Sequence, residues 1–467
     1  MGRDPESGVD RRQFIRYGGV ASVIALAGCS TADDGGNGNG NGNGNGNGNG
    51  NGNENGNGNG YGDGNGNGNG NGNGNGNGDE NGMENGNDGG TTDGTDVESI
   101  TIGSNHPLTG GLSDTGERMD MAVQLAAMMK NGDGGIESLG GADIEVISGD
   151  NEGEQELGSE VAQELVDDGA DVLTGCFSSP VTSAATRVAE RERIPFVISV
   201  SIANEILQET SLEYVYRPQP SARKMSVDHA SMMPQVARDG GLDVETAGLF
   251  YIDISFGQSV RDTLREELPK NDVEIVEETA IGFGETADTQ VTSLRDADPD
   301  AVIGTTYQSG TIELVKAMDN QDYRPPVLAG CANAALNDIG ALDEIGGTAN
   351  GALATNFALD PTKDRAATVQ ERFEDEFGRS FDANVAMTYA ATEVIIAAIE
   401  EAGSDDPDVI NDTLTEVTVE DHIAAMPPVT FRDDGENENA LAPLFQVQDL
   451  EDRVVFPEEF AATDPQF

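Results

Sequence analysis

The sequence contains few of the residues on which metal chemistry and nucleic-acid binding depend. Its 467 residues include only three histidines, three cysteines and 25 lysines and arginines. There is no CxxC motif, no HExxH motif and no histidine cluster, so no set of metal ligands is visible and we expect no cofactor. The 85 acidic residues give a net charge of −60, which leaves too little positive charge to bind a phosphate backbone. Nucleic acid is therefore excluded as a partner.

The amino-terminal segment lacks an apolar run long enough to cross a membrane. The run from Val20 to Ala27 is far shorter than the ~20 residues that a membrane-spanning helix needs. It follows a basic segment and precedes small residues, which is the order of an export signal. Arg11 and Arg12 in "RRQFIR" resemble a twin-arginine signal, and Cys29 in "LAGC" resembles the lipidated cysteine of a lipobox. The two motifs in this order favour a lipoprotein signal over residues 1–29 rather than an amphipathic helix with a chance cysteine.

Residues 30–96 have almost no apolar side chains, and Asn and Gly alternate through most of them. With nothing to bury, such a segment cannot offset the conformational entropy that ordering would cost. Glycine at every second position and the scarcity of aromatic residues argue against an Asn-rich prion-like segment. We predict a disordered tether that holds a folded domain away from the outer face of the cell membrane, where the lipid on Cys29 is anchored.

Positive charge is also scarce in the part of the chain that can fold. The first 96 residues hold four of the 25 basic and 13 of the 85 acidic residues, which leaves 21 basic and 72 acidic residues and a net charge of −51. In molar salt the Debye length is only ~3 Å, so such charges hardly repel one another. The composition therefore indicates the surface of a halophilic protein.

From Val97 onward, short runs typical of buried strands alternate with segments of helical periodicity. The first cycles read "SITIGS", "ERMDMAVQLAAMMKN", "DIEVIS", "GSEVAQELVDD", "ADVLTG", "SAATRVAERER" and "IPFVIS". After "YVYRPQP" the alternation runs from "TAGLFYID" to "PPVLAG", and a helical stretch from Arg365 to Ala402 and a strand-rich tail, "APLFQVQDLEDRVVF", complete the chain. Repeated βα units with short connections predict an α/β fold of two units, each a parallel sheet flanked by helices.

The segment "IGSNHPLTGGLSDTGERMDMAVQLAAMMKNGDGGIESLGGADIEVISGDNEG" resembles the opening of the type 1 periplasmic binding proteins, which include the branched-chain amino acid receptors of ABC importers. The matching positions are Pro107, Leu108, Thr109, Gly110, Gly116, Asn131, Gly134, Gly135, Ile136 and Asp150. The likeness extends over residues 97–467. It implies two lobes joined by a hinge of three strands, with lobe 1 formed by residues 97–217 and 353–425 and lobe 2 by residues 218–352 and 426–467.

Two strand-to-helix turns of the first lobe carry candidate ligand-binding serines. Ligands of open parallel sheets bind beyond the carboxyl ends of the strands, where loop amides and helix N-termini offer unpaired donors. Ser178 and Ser179 follow "VLTGCF" at such a turn, where a single serine could equally cap its own helix. The resemblance places a ligand-contacting serine in this turn, which favours Ser179. It also points to Ser199 and Ser201 in the next turn, "FVISVSIANEIL".

In the second lobe the resemblance points to four further ligand-binding residues. Asp253 and Phe256 lie in "YIDISFGQS", which is similar to the family's Asp-x-x-x-Tyr-Gly turn, although Phe256 could also be an ordinary core residue. Tyr307 ends another strand, and Cys331 lies in the loop where amino acid receptors carry an acid for the ligand's ammonium. Without that acid, either Asp253 is the counter-ion or the ligand is an amide, a urea-like compound or a carboxylate. A disulfide between Cys331 and Cys176 would lock the lobes together, so both are expected to remain free thiols.

Together these features predict an extracytoplasmic, lipid-anchored solute-binding protein. It would deliver a small polar organic solute, in the first instance a branched-chain or other amino acid, to an ABC permease and its ATPase. A sensory module that reports the same ligand to a signalling partner is the alternative. An enzyme is disfavoured, because no GxSxG motif accompanies His106, His229 or His422 and the cleft turns offer no acid–base pair beyond Asp253.

Overall fold

The computed structural model describes residues 97–208 and 211–467. The predicted export signal, the predicted lipidation site at Cys29 and the predicted tether lie outside the described residues. Within the described ranges, no helix combines the length and the apolar character that crossing a membrane requires. This part of the chain forms two α/β lobes, which confirms the fold class predicted from the alternation of strands and helices.

The first lobe is built on a five-stranded, fully parallel sheet. Its strands are β1 (Ser99–His106), β2 (Asp143–Asp150), β3 (Val172–Gly175), β4 (Phe196–Ile198) and β5 (Val215–Tyr216), in the order β2-β1-β3-β4-β5. The connecting helices are α1 (Ser113–Gly132), α2 (Gln155–Asp167) and α3 (Ser179–Glu192). Strands β3 and β4 are buried at every position, because helices cover both faces of a parallel sheet.

The second lobe repeats this pattern. Its helices are α4 (Ala222–Asp239), α5 (Ser255–Glu267), α6 (Asp288–Ala297), α7 (Gln308–Asn320) and α8 (Ile339–Ile345). Its parallel strands are β6 (Thr246–Ile252), β7 (Glu274–Ile281), β8 (Ala301–Thr305), β9 (Val327–Cys331) and β10 (Leu353–Thr355). Strand β10 pairs with β9, so the return to the first lobe that was expected at residue 353 comes after Thr355.

The chain then adds helices α9 (Asp364–Phe377), α10 (Ala383–Ala402) and α11 (Pro407–Leu414) to the first lobe. The helical stretch predicted from Arg365 to Ala402 is therefore two helices. Gly378, with a φ of +64°, ends α9 in the left-handed conformation that favours glycine, and the side chain of Asp382 caps α10 by accepting from the Val385 amide. Of the 20 residues of α10, 15 are buried, as expected for a helix that is apolar on all sides.

The carboxyl-terminal segment returns to the second lobe. After a short antiparallel pair, β11 (Thr418–Val419) with β12 (Val429–Thr430), strands β13 (Leu444–Gln448) and β14 (Glu451–Phe456) extend the second sheet. The sheet order is β14-β13-β10-β9-β8-β6-β7, and β13 and β14 run antiparallel to their neighbours. The second sheet is thus mixed rather than fully parallel, because β13 enters antiparallel to β10. A two-residue hairpin at Asp449 and Leu450 then reverses the chain into β14.

Three chain segments connect the lobes, as the resemblance predicted. They comprise residues 217–221, 356–363 and 431–443, and they are irregular segments with single bridges rather than continuous strands. The first and third are held together by backbone hydrogen bonds, from the Arg217 amide to the Gly435 carbonyl (2.8 Å) and from the Asn437 amide to the Arg217 carbonyl (3.1 Å). The buried Arg217 guanidinium donates to the carbonyls of Ile202 and Ala203, which ties this hinge to a loop of the first lobe.

Candidate ligand-binding cavity between the lobes

A small cavity of about 40 Å³ lies between the two lobes, at the carboxyl ends of both sheets. This volume holds about three water molecules, so the lobes are closed around it. Both lobes and the second connecting segment contribute to the wall. The lining residues are Phe177, Ser179, Val200, Ser201, Ile202, Phe256, Thr306, Tyr307, Ala332, Ala334, Asn356, Phe357 and Asn384.

Four helices begin at this cavity. Ser179 is the first residue of α3, Phe256 and Asn384 are the second residues of α5 and α10, and Tyr307 immediately precedes α7. A helix N-terminus carries unpaired backbone N–H groups and about half a positive charge from the aligned peptide dipoles. The wall therefore combines an absence of charged side chains with a positive electrostatic bias.

Aromatic rings form the apolar wall of the cavity. The centroid of the Tyr307 ring lies 5.0 Å from that of Phe177 in the opposite lobe and 5.4 Å from that of Phe256. Phe283, which is 54% exposed in the loop after β7, stacks on the outer side of Tyr307 at 5.5 Å. Burial raises the pKa of the Tyr307 phenol to about 12, and a hydrogen bond with the Ser178 side chain offsets part of the rise. Tyr307 thus remains neutral and contacts both lobes.

Two of the four predicted serines line the cavity and the other two lie behind it. The Ser179 hydroxyl accepts from the Ala203 amide (3.3 Å), and the Ser201 hydroxyl lies 2.5 Å from that of Thr182 and 3.1 Å from the Phe177 carbonyl. Ser178 lies behind Ser179, within hydrogen-bonding reach of Tyr307. The Ser178 side chain does not cap α3, and Ser179 lines the cavity whereas Ser178 does not.

Ser199 belongs to a buried network behind the cavity. Burial lowers the pKa of His106 to about 4, against the opposing charge of Asp120, so the imidazole is neutral at pH 7. The Ser104 hydroxyl donates to the Asp120 carboxylate (2.6 Å), so it accepts from Nδ1 of His106 (2.9 Å). The Ser199 hydroxyl lies 3.3 Å from Nε2 and donates to the Cys176 carbonyl at 3.1 Å. Ser199 therefore supports the turn that carries Ser201.

The second lobe places Phe256 and Tyr307 at the cavity but not Asp253 or Cys331. Asp253 is exposed and accepts from the Gln258 side chain (2.9 Å). The Cys331 thiol is fully buried and lies 3.8 Å from the Ser226 hydroxyl. Its neighbour Ala332 lines the cavity instead, with a left-handed φ of +53° that is held by a hydrogen bond from its amide to the Thr355 carbonyl.

Both described cysteines are free thiols, as expected. Cys176 and Cys331 are fully buried, and burial raises the pKa of each thiol to about 12. Neither side chain lines the cavity. Both cysteines therefore act as small apolar core residues at neutral pH.

Sequence analysis missed nine of the 13 wall residues, and three of the nine lie outside the strand-end turns that it considered. Asn356 and Phe357 lie in the second connecting segment, and Asn384 lies in the first turn of α10. The Asn356 amide nitrogen donates to Asn337 (3.1 Å) and leaves its carbonyl oxygen without a partner among the described residues. The Asn384 side chain, in a residue that is 5% exposed, makes no hydrogen bond to any described residue. No local motif marks either asparagine.

Next to the cavity, a buried ion cluster joins the lobes. Arg118 of α1 is 2% exposed and pairs with Asp382 of the same lobe at 2.5 Å and with Asp338 of the second lobe at 3.0 Å. Asp114, one helical turn away, is also 3.0 Å from its guanidinium. We call these four residues the interlobe cluster. Burial alone would lower the pKa of Arg118, but the carboxylates of Asp382, Asp338 and Asp114 raise it above the ordinary value.

Two lobes, three connecting segments and a cavity closed between the sheets define the class of two-lobed α/β solute-binding proteins. The periplasmic binding protein family model matches residues 99–451. The chain therefore belongs to the periplasmic binding protein family, as the resemblance of its opening segment indicated.

Sequence relatives and similar solved structures align with most of the folded part of the chain. The Leu/Ile/Val-binding protein homolog 7 of Brucella abortus is 26% identical over 386 residues, which span 78% of this chain and 93% of that protein. Among solved structures, the branched-chain amino acid binding protein LivJ of Streptococcus pneumoniae, in complex with isoleucine, has a TM-score of 0.66 at 17% identity and covers 76% of this chain and 97% of its own. A solute-binding protein of an ABC transporter from Rhodopseudomonas palustris, in complex with 3,4-dihydroxybenzoic acid, has a TM-score of 0.66 at 20% identity and covers 79% and 98%.

Proposed function

We propose that this protein captures a small organic solute in the cavity between its lobes and delivers it to an ABC permease outside the cytoplasm. The observation that carries the proposal is the cavity at the carboxyl ends of both sheets, with wall residues from both lobes and from a connecting segment. A site divided in this way is complete only when the lobes close, so ligand binding and closure stabilise each other. The permease then has a closed, loaded form to recognise.

The wall residues offer a ligand both polar and apolar contacts. Ser179 and Ser201 supply hydroxyl groups on one side, and the rings of Phe177, Phe256 and Tyr307 supply apolar contact. Such a cavity, mostly apolar with a few placed polar groups, is the usual form of a small-molecule site. The relatives include proteins in complex with isoleucine and with 3,4-dihydroxybenzoic acid, which supports an organic solute with a carboxylate.

The function is tested by a thermal-shift screen in molar KCl, followed by uptake of the compounds that stabilise the protein. Tyr307→Leu should weaken binding of such a compound by about tenfold or more, because it removes both the ring contacts and the phenol at the lobe boundary. Tyr323→Leu is the matched control, since Tyr323 is equally buried at 7% exposure but packs in the second lobe away from the cavity.

Cells that lack the gene should lose uptake of the same compound, and wild type and Tyr323→Leu should restore it while Tyr307→Leu does not. Uptake that persists without the gene would overturn the transport role. If binding were retained in that case, the sensory alternative would take its place.

Anchoring is the second part of the proposal. The order of Arg11, Arg12, a short apolar run and Cys29 supports export by the twin-arginine route and a lipid on Cys29. Cys29→Ser should move most of the protein from the membrane fraction to the medium, whereas Ser30→Ala should leave it on the membrane. Replacing Arg11 and Arg12 together by lysine should retain the precursor in the cell. A Cys29→Ser protein that fractionates with the membrane as wild type does would contradict the anchor.

A further inference from the structure

We infer that the ligand is a monocarboxylate with an apolar body and no ammonium group. The inference rests on the proposed function and names its ligand class. It narrows the choice left by the sequence, in which a free amino acid, an amide, a urea-like compound and a carboxylate were all open. Three features of the cavity lead to it: the absence of charged side chains in the wall, the four helix N-termini and the NH₂ group of Asn384.

No acidic side chain is available to an ammonium group. None of the 13 residues that line the cavity is Asp, Glu, Lys, Arg or His. Asp253, the only candidate counter-ion from the sequence, is exposed and bound to Gln258. Asp382, which caps α10 close to Asn384, is already paired with Arg118. Burying an ammonium without a counter-charge costs several kcal/mol, so a zwitterionic amino acid is poorly accommodated.

The backbone of the wall favours a negative charge. Helices α3, α5, α7 and α10 have 14, 13, 13 and 20 residues, and all four begin at the cavity. Their N-terminal dipoles favour an anion over a cation, and only at α10 does a carboxylate, that of Asp382, already accept from the first turn. This distinguishes a carboxylate from an amide or urea, which would gain hydrogen bonds there but no charge stabilisation.

The Asn384 side chain is the third feature that indicates a carboxylate ligand. Its residue is 95% buried, it lines the cavity, and its amide has no hydrogen-bond partner among the described residues. Its NH₂ group is therefore free to donate to an acceptor on a ligand in the cavity. Since Asn384 also lies in the first turn of α10, its NH₂ group and the helix dipole act on the same anionic group.

The rest of the wall selects an apolar body. The Tyr307 ring contacts the rings of Phe177 and Phe256 along the cavity wall, and Val200 and Ile202 add apolar surface from the first lobe. A ligand of more than a few heavy atoms fits only when the Phe177 and Tyr307 rings separate. Opening of the lobes provides this movement, because the two rings belong to different lobes.

Two pairs of compounds test the ligand class by calorimetric titration in molar KCl. Leucine and 4-methylpentanoate differ only in the amino group, and benzoate and benzamide differ in charge at nearly the same shape. We expect 4-methylpentanoate to bind at least about tenfold more tightly than leucine, and benzoate at least about tenfold more tightly than benzamide. Asn384→Asp, which adds a negative charge, should weaken the carboxylates much more than Asn384→Leu, which only removes the amide.

The outcomes separate the ligand class from the proposed function. Leucine binding as tightly as 4-methylpentanoate, or benzamide as tightly as benzoate, would overturn the ligand class and leave the transport role intact. If Asn384→Asp and Asn384→Leu weakened carboxylate binding equally, the cavity would have no electrostatic preference for an anion at this position, which would contradict the inference. If none of the four compounds bound while another compound from the thermal-shift screen did and was taken up, the ligand class would be wrong and the transport role would stand.

Discussion

Replacement of Arg118 by methionine should lower the free energy of unfolding by about 3–5 kcal/mol, because it leaves buried carboxylates without their counter-charge. Burial already raises the pKa of the Asp382 carboxyl to about 6, although the Arg118 charge opposes the rise. Methionine keeps most of the apolar volume of arginine, so the loss is mainly electrostatic. Urea unfolding in molar KCl measures it. Arg379→Met is the control, since Arg379 pairs with Asp114 and Glu117 at the surface and its loss should cost below about 1 kcal/mol.

Two further variants show whether the interlobe cluster also affects closure. Asp338 and Asp382 each cap a helix and each bind Arg118, but only Asp338 belongs to the opposite lobe. Asparagine preserves both caps. Asp338→Asn should therefore favour open lobes, seen as a larger radius of gyration by X-ray scattering, whereas Asp382→Asn should not. Equal radii for the two variants, or a loss below 1 kcal/mol for Arg118→Met, would contradict this role of the cluster.

Dilution of KCl from roughly 2 M to 0.1 M should lower the melting temperature by about 10 °C or more. Residues 97–467 carry a net charge of −51, and dilution lengthens the Debye length from below ~3 Å to ~10 Å, so carboxylates that were screened begin to repel one another. A loss of several kcal/mol corresponds to a shift of this size in a protein of this length. Scanning calorimetry over a KCl series gives the shift.

The control for this prediction is a second salt. NaCl at the same ionic strength should restore the same melting temperature, because screening depends on ionic strength rather than on the identity of the monovalent cation. A melting temperature that does not change between high and low salt would show that the acidic surface does not control stability. Recovery by KCl but not by NaCl would indicate specific ion binding instead.

The fold was largely predictable because most strands and helices carry strong local patterns. "DIEVIS" and "ADVLTG" lie in β2 and β3, and "ERMDMAVQLAAMMKN" lies within α1. Helix α4 was missed, since Pro234 lies inside it and its polar residues hide the apolar face. The turn between β13 and β14 carried no glycine signal, because Asp449 and Leu450 adopt φ values of +55° and +63°. Local sequence patterns thus predict the strands and helices whose own residues favour that structure.

The cavity was only partly predictable, because some of its wall residues come from distant parts of the chain. Ser179 and Ser201 follow predicted parallel strands. Residues in such positions can be placed at the carboxyl edge of the sheet from the sequence alone. Asn356, Phe357 and Asn384 reach the cavity through the second connecting segment and α10, more than 150 residues farther along the chain. Their placement depends on how the lobes pack, which no local pattern encodes.

The chain order of the two sheets determines when each lobe can be completed during synthesis. The first lobe lacks its buried helix α10 until residue 402 has emerged from the ribosome, after most of the second lobe. The second sheet receives β13 and β14 only when residues 444–456 follow. Until then β10 is an unpaired edge whose Leu353, Ala354 and Thr355 are otherwise fully buried, and such an edge can pair with other chains. The nascent protein therefore presents an open sheet edge until β13 has emerged and paired with β10.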